Sequence, residues 1–180
     1  MSKIWLPDSA KEEELTPWIS FSQLEWVKNY IPDNGVFMEW GSGGSSVWFT
    51  ENLPPTVERI IIESDHAWAE RVRAAGTPVI TPTEASWSRG GDIETSCHDP
   101  AYICRDEVAR ADIILVDGWN RGPCISWITH NARPGTVVFL HDFKFVQYLW
   151  IRALPCWESF DEMDSDGSCN PSPIAKWVLK

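Results

Sequence analysis

The chain of 180 residues contains no run of eighteen apolar residues, the least that a membrane span requires, so no span is expected. Its first residues, MSKIWLPDSAKEEELTPW, lack the apolar core of a signal peptide. The five cysteines are odd in number and scattered at 97, 104, 124, 156 and 169. Without paired C-x-x-C spacing they make neither a zinc site nor a disulfide framework, and a reducing, cytoplasmic setting is expected. No Lys/Arg cluster interrupts a net charge of −11. Such a surface repels polyanions, which argues against nucleic acid and anionic membrane as partners. Internal repeats and low-complexity segments are also lacking.

What is there is a soluble globular composition, 43% hydrophobic and 23% charged. The length fits one domain, residues 1–180, with a core of its own. Twelve tryptophans are read mainly as core filling, with some available to line an aromatic pocket.

Residues 1–19 read as an irregular arm. SFSQLEWVKNYI (20–31) reads as a helix, with Ser22 and Glu25 at capping-box spacing and Leu24, Val27 and Ile31 on one face. PDNG (32–35) ends it. Apolar strand signals follow at 36–40, 58–64, 78–81 (the weakest), 111–118 and 135–142, and helical patterns at 45–53, 66–75, 122–133 and 143–153. This alternation predicts an α/β fold: a Rossmann-like, doubly wound, mostly parallel sheet covered on both faces. CWESFDEMD and PIAKWVLK, joined by SDGSCNPS, predict a C-terminal antiparallel hairpin. The segment 82–105 is long and aperiodic and is expected to form a lid loop.

The first strand ends in VFMEWGSGGSS. In an open α/β sheet, ligands bind beyond the carboxyl ends of the strands, where strand order reverses. Gly41 and Gly43 allow a tight turn and close approach of a ligand to the backbone. Ser45 or Ser46 can cap the following helix. A dinucleotide reading needs G-x-G-x-x-G, and Ser46 stands where the third glycine belongs. A cationic nucleoside such as S-adenosylmethionine has no pyrophosphate and favours a nearby acid, which Glu39 supplies. Glu63 closes the second strand about twenty residues after the glycines, where a carboxylate accepts ribose hydroxyls. It can equally be read, with Asp65, as an acid placed at a helix N-terminus.

These residues resemble class I S-adenosylmethionine-dependent methyltransferases over most of the chain. FMEWGSGGSS is similar to their acid-x-Gly-x-Gly-x-Gly motif, with Ser45 in the place of the last glycine. IIIESDHAWAERV is similar to their ribose-binding motif, and ADIILVDGWNRG and PGTVVFLHDF to their fourth and fifth strands. EWGSGGS, ESD-x-x-W, VDG-x-x-R and HDF together are closest to a poorly characterised methyltransferase-like branch. The resemblance implies that Glu39, Gly41, Ser42, Gly43 and Ser45 surround the methionine part of the cofactor. It implies Glu63 on the ribose and Ala85–Trp87, Trp87 above all, at the adenine.

Asp117 ends the fourth strand, and His141 and Asp142 end the fifth. In metal-dependent catechol-type O-methyltransferases, acids at these two places hold a divalent ion. Asp117, His141 and Asp142 are therefore candidate catalytic residues and candidate ligands of magnesium or manganese. Without a metal, His141 is the natural general base. The plainer readings are that Asp117 braces its turn, His141 ends a strand and Asp142 caps a helix. Cys97, His98, Asp99 and Cys104 are read as a loop with incidental thiols, and His66 and His130 as helix-surface residues. Arg121 is a candidate anchor for an acidic substrate group, although a surface arginine needs no such role.

The expected activity is methyl transfer to a small-molecule or sugar-like acceptor, with oxygen the favoured methylated atom. The alternatives are an NAD-dependent oxidoreductase and a non-catalytic nucleoside-binding module. The expected partner is a small-molecule acceptor, and a homodimer is the oligomer allowed for.

Overall fold

The structure is a computed structural model that describes residues 15–81, 100–143, 158–160 and 173–180. Helix α1 spans Phe21–Lys28, strand β1 Val36–Trp40, α2 Gly44–Asn52, β2 Glu58–Ile62 and α3 His66–Ala74. A single-turn helix α4, Pro100–Ile103, and a 3-10 turn at Asp106–Arg110 lead into β3, Ile113–Val116. Then come α5, Arg121–Asn131, β4, Val137–His141, β5, Glu158–Phe160, and β6, Ile174–Val178. The six strands form one sheet in the order β2-β1-β3-β4-β6-β5. The β1–β2, β1–β3 and β3–β4 pairs are parallel, and β6 runs antiparallel to β4 and β5. The expected fold class is therefore observed, hairpin strands included.

Strand parity sorts the core into two layers. Met38, Trp40, Ile60, Ile62, Ile114, Val116, Val138 and Leu140 face one side, packed with Cys124, Ile125 and Ile128 of α5. Phe37, Ile113, Leu115 and Phe139 face the other, against Leu24 and Val27 of α1 and Phe49 of α2. Two residues beyond Leu115 and Phe139, on that same face, stand Asp117 and His141. Strand order reverses between β1 and β3, which opens the ligand crevice at their carboxyl ends.

Three local expectations are corrected. The capping box of α1 is Ser20–Gln23, not Ser22–Glu25. Ser20 Oγ accepts from the Gln23 N–H at 3.2 Å, and Gln23 Oε1 accepts from the Ser20 N–H at 3.2 Å. The third strand, expected over 78–81, is reduced to one parallel bridge between Ile62 and Ile80. Pro78 and Pro82 flank it and donate no N–H, so the ladder does not propagate. The helix expected over 122–133 begins at Arg121, directly after Asn120 in the left-handed region (φ 55°). The helix expected over 143–153, nearly all of the arm, the hairpin turn and residues 82–99 of the expected lid lie outside the described residues, and so does Trp87. Within the rest of that lid, residues 100–103 are helical.

Candidate active site at the carboxyl edge of the sheet

The glycine turn is held by its own backbone. Gly41 has φ +89°, and a Cβ there would stand 2.4 Å from the Cα and N of Gly118, at the end of β3. Both the dihedral and the contact demand glycine. Gly43 differs: its backbone is extended, and the nearest atoms to an added Cβ belong to Trp68 at 3.9 Å. Among the described residues, only the Trp68 ring would touch that Cβ, at van der Waals distance.

Glu39 is fully buried beneath this turn. Its two carboxylate oxygens accept from Ser45 Oγ at 2.6 Å and Ser46 Oγ at 2.7 Å. Ser46 Oγ in turn accepts from the Gly43 N–H at 3.1 Å, which caps α2. Burial pushes the Glu39 carboxyl up to about 8, against the lowering effect of the two hydroxyls, so it is largely neutral near pH 7. Glu63, also buried, sits one residue past β2. One of its oxygens accepts from the Ser42 N–H at 2.9 Å, the other from the Asp65 N–H at 2.9 Å. Burial raises its pKa, and these backbone donors oppose the rise. Trp68 Nε1 donates to the Ser42 carbonyl at 2.5 Å. Glu63 and Trp68 thus tie the glycine turn to the start of α3.

The second half of the site stands at the ends of β3 and β4. His141 Nδ1 is 2.7 Å from Asp117 Oδ1 and 3.7 Å from Asp142 Oδ2. The carboxylate neighbour sets the neutral tautomer: Nδ1–H donates to Asp117 and the lone pair lies on Nε2. That Nε2 is buried and, among the described residues, has no hydrogen-bond partner. Burial disfavours the imidazolium, but Asp117 and Asp142 outweigh it, and the His141 pKa lies above its ordinary value. Asp142 adopts φ 57°, which turns the chain immediately after β4.

Arg121, the first residue of α5, lies across this cluster. Its Nε donates to the Gly118 carbonyl at 2.9 Å, Nη1 to the His141 carbonyl at 2.6 Å and to Asp142 Oδ2 at 2.9 Å. Nη2 donates to the Asp117 carbonyl at 2.9 Å and lies 3.3 Å from Asp117 Oδ1. The guanidinium's donors are directed at the protein, so the expected anchoring of an acidic substrate group does not fit this geometry. Asp117, His141 and Asp142 each offer a donor atom within 4.8 Å of the others, a grouping able to hold a metal ion. As arranged, they do not fit one. Both carboxylates already face a cation in Arg121, and His141 turns Nδ1 to Asp117 rather than to a shared centre.

The fold thus brings Glu39, Gly41, Ser42, Gly43, Ser45 and Glu63 together on one flank, and Asp117, His141 and Asp142 on the other. Two further residues belong here. Arg121 carried only a weak signal, because a single arginine after a loop looks like surface. Tyr102 gave none. Its buried hydroxyl has no partner among the described residues and lies 2.3 Å from where a Gly118 Cβ would stand.

No protein-family model matches the sequence, and the comparison with curated proteins returns no match. Solved structures do match. An O-methyltransferase from Bacillus cereus, in complex with S-adenosylhomocysteine, superposes with a TM-score of 0.64 at 17% identity, over 96% of this chain and 86% of that one. A methyltransferase-like protein from Silicibacter pomeroyi gives 0.61 at 22% identity, over 92% and 90%. The O-methyltransferase TomG from Streptomyces achromogenes, in complex with S-adenosylmethionine, gives 0.56 at 18% identity, over 90% and 82%. Nearly the whole chain is covered while identity stays low, so the likeness is one of architecture: this chain has the Rossmann-like fold of class I S-adenosylmethionine-dependent methyltransferases.

Proposed function

We propose that the protein transfers a methyl group from S-adenosylmethionine to a hydroxyl of a small, sugar-like acceptor. The observation that carries this reading is the Asp117–His141 pair, with Nε2 unpartnered among the described residues, on the same sheet edge as the glycine turn and Glu63. The B. cereus and TomG structures, which hold the product and substrate forms of this cofactor, support it. The net charge of −11 favours a small acceptor over a polyanion.

The residues divide the work by position. Gly41 sets the turn, and Gly43 lets a ligand approach the backbone. Ser42, Gly43 and Ser45, beside the largely neutral Glu39, would hold the methionine part of the cofactor. Glu63 would accept the ribose hydroxyls in exchange for the longer Ser42 Oγ and Ser64 Oγ contacts, at 3.3 and 3.4 Å, that its two oxygens accept beside the backbone N–H groups. Trp87 is assigned to the adenine. S-adenosylmethionine, when bound, supplies an electrophilic methyl carbon open to in-line displacement. His141 Nε2 would take the proton of the acceptor hydroxyl as the oxygen–carbon bond forms and the carbon–sulfur bond breaks, with S-adenosylhomocysteine as the leaving group. Asp117 orients the ring through Nδ1–H and stabilises the resulting imidazolium, the division of labour of a carboxylate–histidine pair. Trp119, exposed just past β3, offers an aromatic face to a sugar-like ring.

Titration of intrinsic tryptophan fluorescence tests the cofactor, and label transfer from methyl-labelled S-adenosylmethionine to a panel of hydroxylated acceptors tests the reaction. Saturable response to S-adenosylhomocysteine and none to NAD is expected. A response to NAD alone removes the reading.

A further inference from the structure

Arg121 has an unusual set of neighbours for an arginine near a crevice. Five oxygens surround its guanidinium: the carbonyls of Asp117, Gly118 and His141, and the carboxylates of Asp117 and Asp142, at 2.6–3.3 Å. Two are charged and three are strand-end or turn carbonyls, which together make the oxygen-rich shell that a hard cation prefers. The side chain is mostly buried, so little solvent shares in its neutralisation. The cage draws on the ends of both β3 and β4, and Arg121 reaches it from the first residue of α5.

We propose that Arg121 is the resident cation of this site: its guanidinium fills the oxygen cage at the ends of β3 and β4, and the Asp117–His141 pair works without a divalent ion. Arg121 is a positioning residue. It fixes Asp142, joins the two strand ends and balances the carboxylates that flank His141. It differs from a metal in one respect that bears on the acceptor. A divalent ion with open positions can chelate two vicinal hydroxyls, whereas Arg121 has its donors committed to the protein. Recognition of the acceptor therefore does not depend on chelation, and one hydroxyl within reach of His141 Nε2 suffices. This last consequence rests on the function proposed above; the cage itself does not.

The test is binding of Mn²⁺ to the full chain, followed by its electron paramagnetic resonance signal, with no cofactor or acceptor present. Wild type is expected to bind no stoichiometric Mn²⁺. R121M, which keeps the apolar stem and removes the charge, is expected to bind one Mn²⁺ at least about tenfold more tightly than wild type, because it leaves carboxylates and carbonyls facing an open cage. R121K keeps a positive charge and is expected to exclude the ion as wild type does. A merely structural role for Arg121 predicts no such split by charge. The D142N change in the R121M background is expected to lower the gained affinity again. Stoichiometric Mn²⁺ on wild type, lost in D117N, overturns the proposal. So does a folded R121M that binds no more than wild type. Should R121M not fold, the wild-type titration decides alone. A protein that shows the expected Mn²⁺ pattern but binds no S-adenosylmethionine retains the resident cation and loses only the proposed reaction.

Discussion

Two acidic groups meet at one sheet edge and are treated in opposite ways. At the ends of β1 and β2, Glu39 and Glu63 are satisfied by neutral donors: serine hydroxyls for the first, mainly backbone N–H groups for the second. Among the described residues, no arginine or lysine pairs with either. At the ends of β3 and β4, Asp117 and Asp142 face the charge of Arg121, and Asp117 also accepts from the His141 ring. Neutral donors do not cancel a carboxylate, so burial raises both glutamate pKa values. A guanidinium does cancel one, and the surplus negative potential raises the pKa of the histidine instead. A flank in which Glu39 is largely neutral tolerates a cofactor carrying its own carboxylate. A flank with ionised acids around an imidazole is suited to moving a proton.

The sharpest way to break this contrast is to remove the imidazole. His141→Asn is expected to lower methyl transfer by roughly 10²–10⁴-fold, the usual worth of a general base, while S-adenosylhomocysteine binding stays within about twofold. In the wild type, activity should fall as pH drops through a pKa above the ordinary histidine value, because the base must be neutral. Steady-state rates across pH, with binding measured in parallel, check both. Equal losses in binding and rate would place His141 in the scaffold rather than the chemistry.

The neutral flank is tested by pH. Glu39 has a folded-state pKa near 8, against 4.5 for its unperturbed value. Between those values the folded state holds a proton that the unfolded chain releases. Stability therefore falls as pH rises from about 4.5 to about 8 and levels off above. The loss from this group is on the order of a few kcal/mol. Glu39→Gln is expected to remove that part of the slope and to be more stable than wild type at pH 9. Denaturant unfolding at pH 5, 7 and 9 decides it. A slope unchanged in the variant would mean that Glu39 is ionised throughout.

Much of the layout was legible in the sequence because apolar runs such as RIII, IILV and VVFL state their burial outright, and the turns between them are marked by Gly, Pro and Ser. The pairing of Asp117 with His141 was legible too: two consecutive parallel strands placed side by side must present their carboxyl ends together. Arg121 was not. Its role comes from three carbonyls and two carboxylates that only the folded chain assembles, and an arginine after a turn carries no local mark of that. The strand at 78–81 failed for a local reason, since the prolines at 78 and 82 remove the donors that a ladder needs. The cap of α1 moved by two residues because Ser20 and Ser22 both stand three positions before a residue able to complete the box, Gln23 or Glu25. The first pairing is the one that forms, and Leu24 and Val27 of the helix it starts reach the core.

On the glutamate flank, Glu63→Ala is expected to weaken S-adenosylmethionine binding by about 1.5–3 kcal/mol, the worth of hydrogen bonds to a charged group. Calorimetry reads this directly. The loss should be in affinity more than in the rate at saturation, since Glu63 lies on the cofactor side and not beside His141. An unchanged dissociation constant would remove Glu63 from the ribose.

The last contrast lies in the turn itself and separates two glycines that flank Ser42. Gly41→Ala meets a positive φ and the Gly118 backbone at 2.4 Å. It is expected to be strongly destabilising, because neither strand end can retreat without breaking the Gly41 N–H bond to the Ile62 carbonyl, at 2.9 Å. Gly43→Ala meets neither obstacle. Its backbone is extended, a conformation open to any residue, and the nearest protein atoms lie 3.9 Å from the new methyl. Folding stability should therefore change by no more than about 0.5 kcal/mol. If the space beside Gly43 serves close approach of a cofactor, the same methyl should cost at least about 1 kcal/mol of S-adenosylmethionine affinity, within the usual cost of overfilling a packed contact. Melting curves and calorimetry on the one variant give both numbers. A protein equally stable and equally able to bind would show that the space beside Gly43 is idle, and would shift the cofactor's line of approach to the Ser42–Glu63 side of the turn.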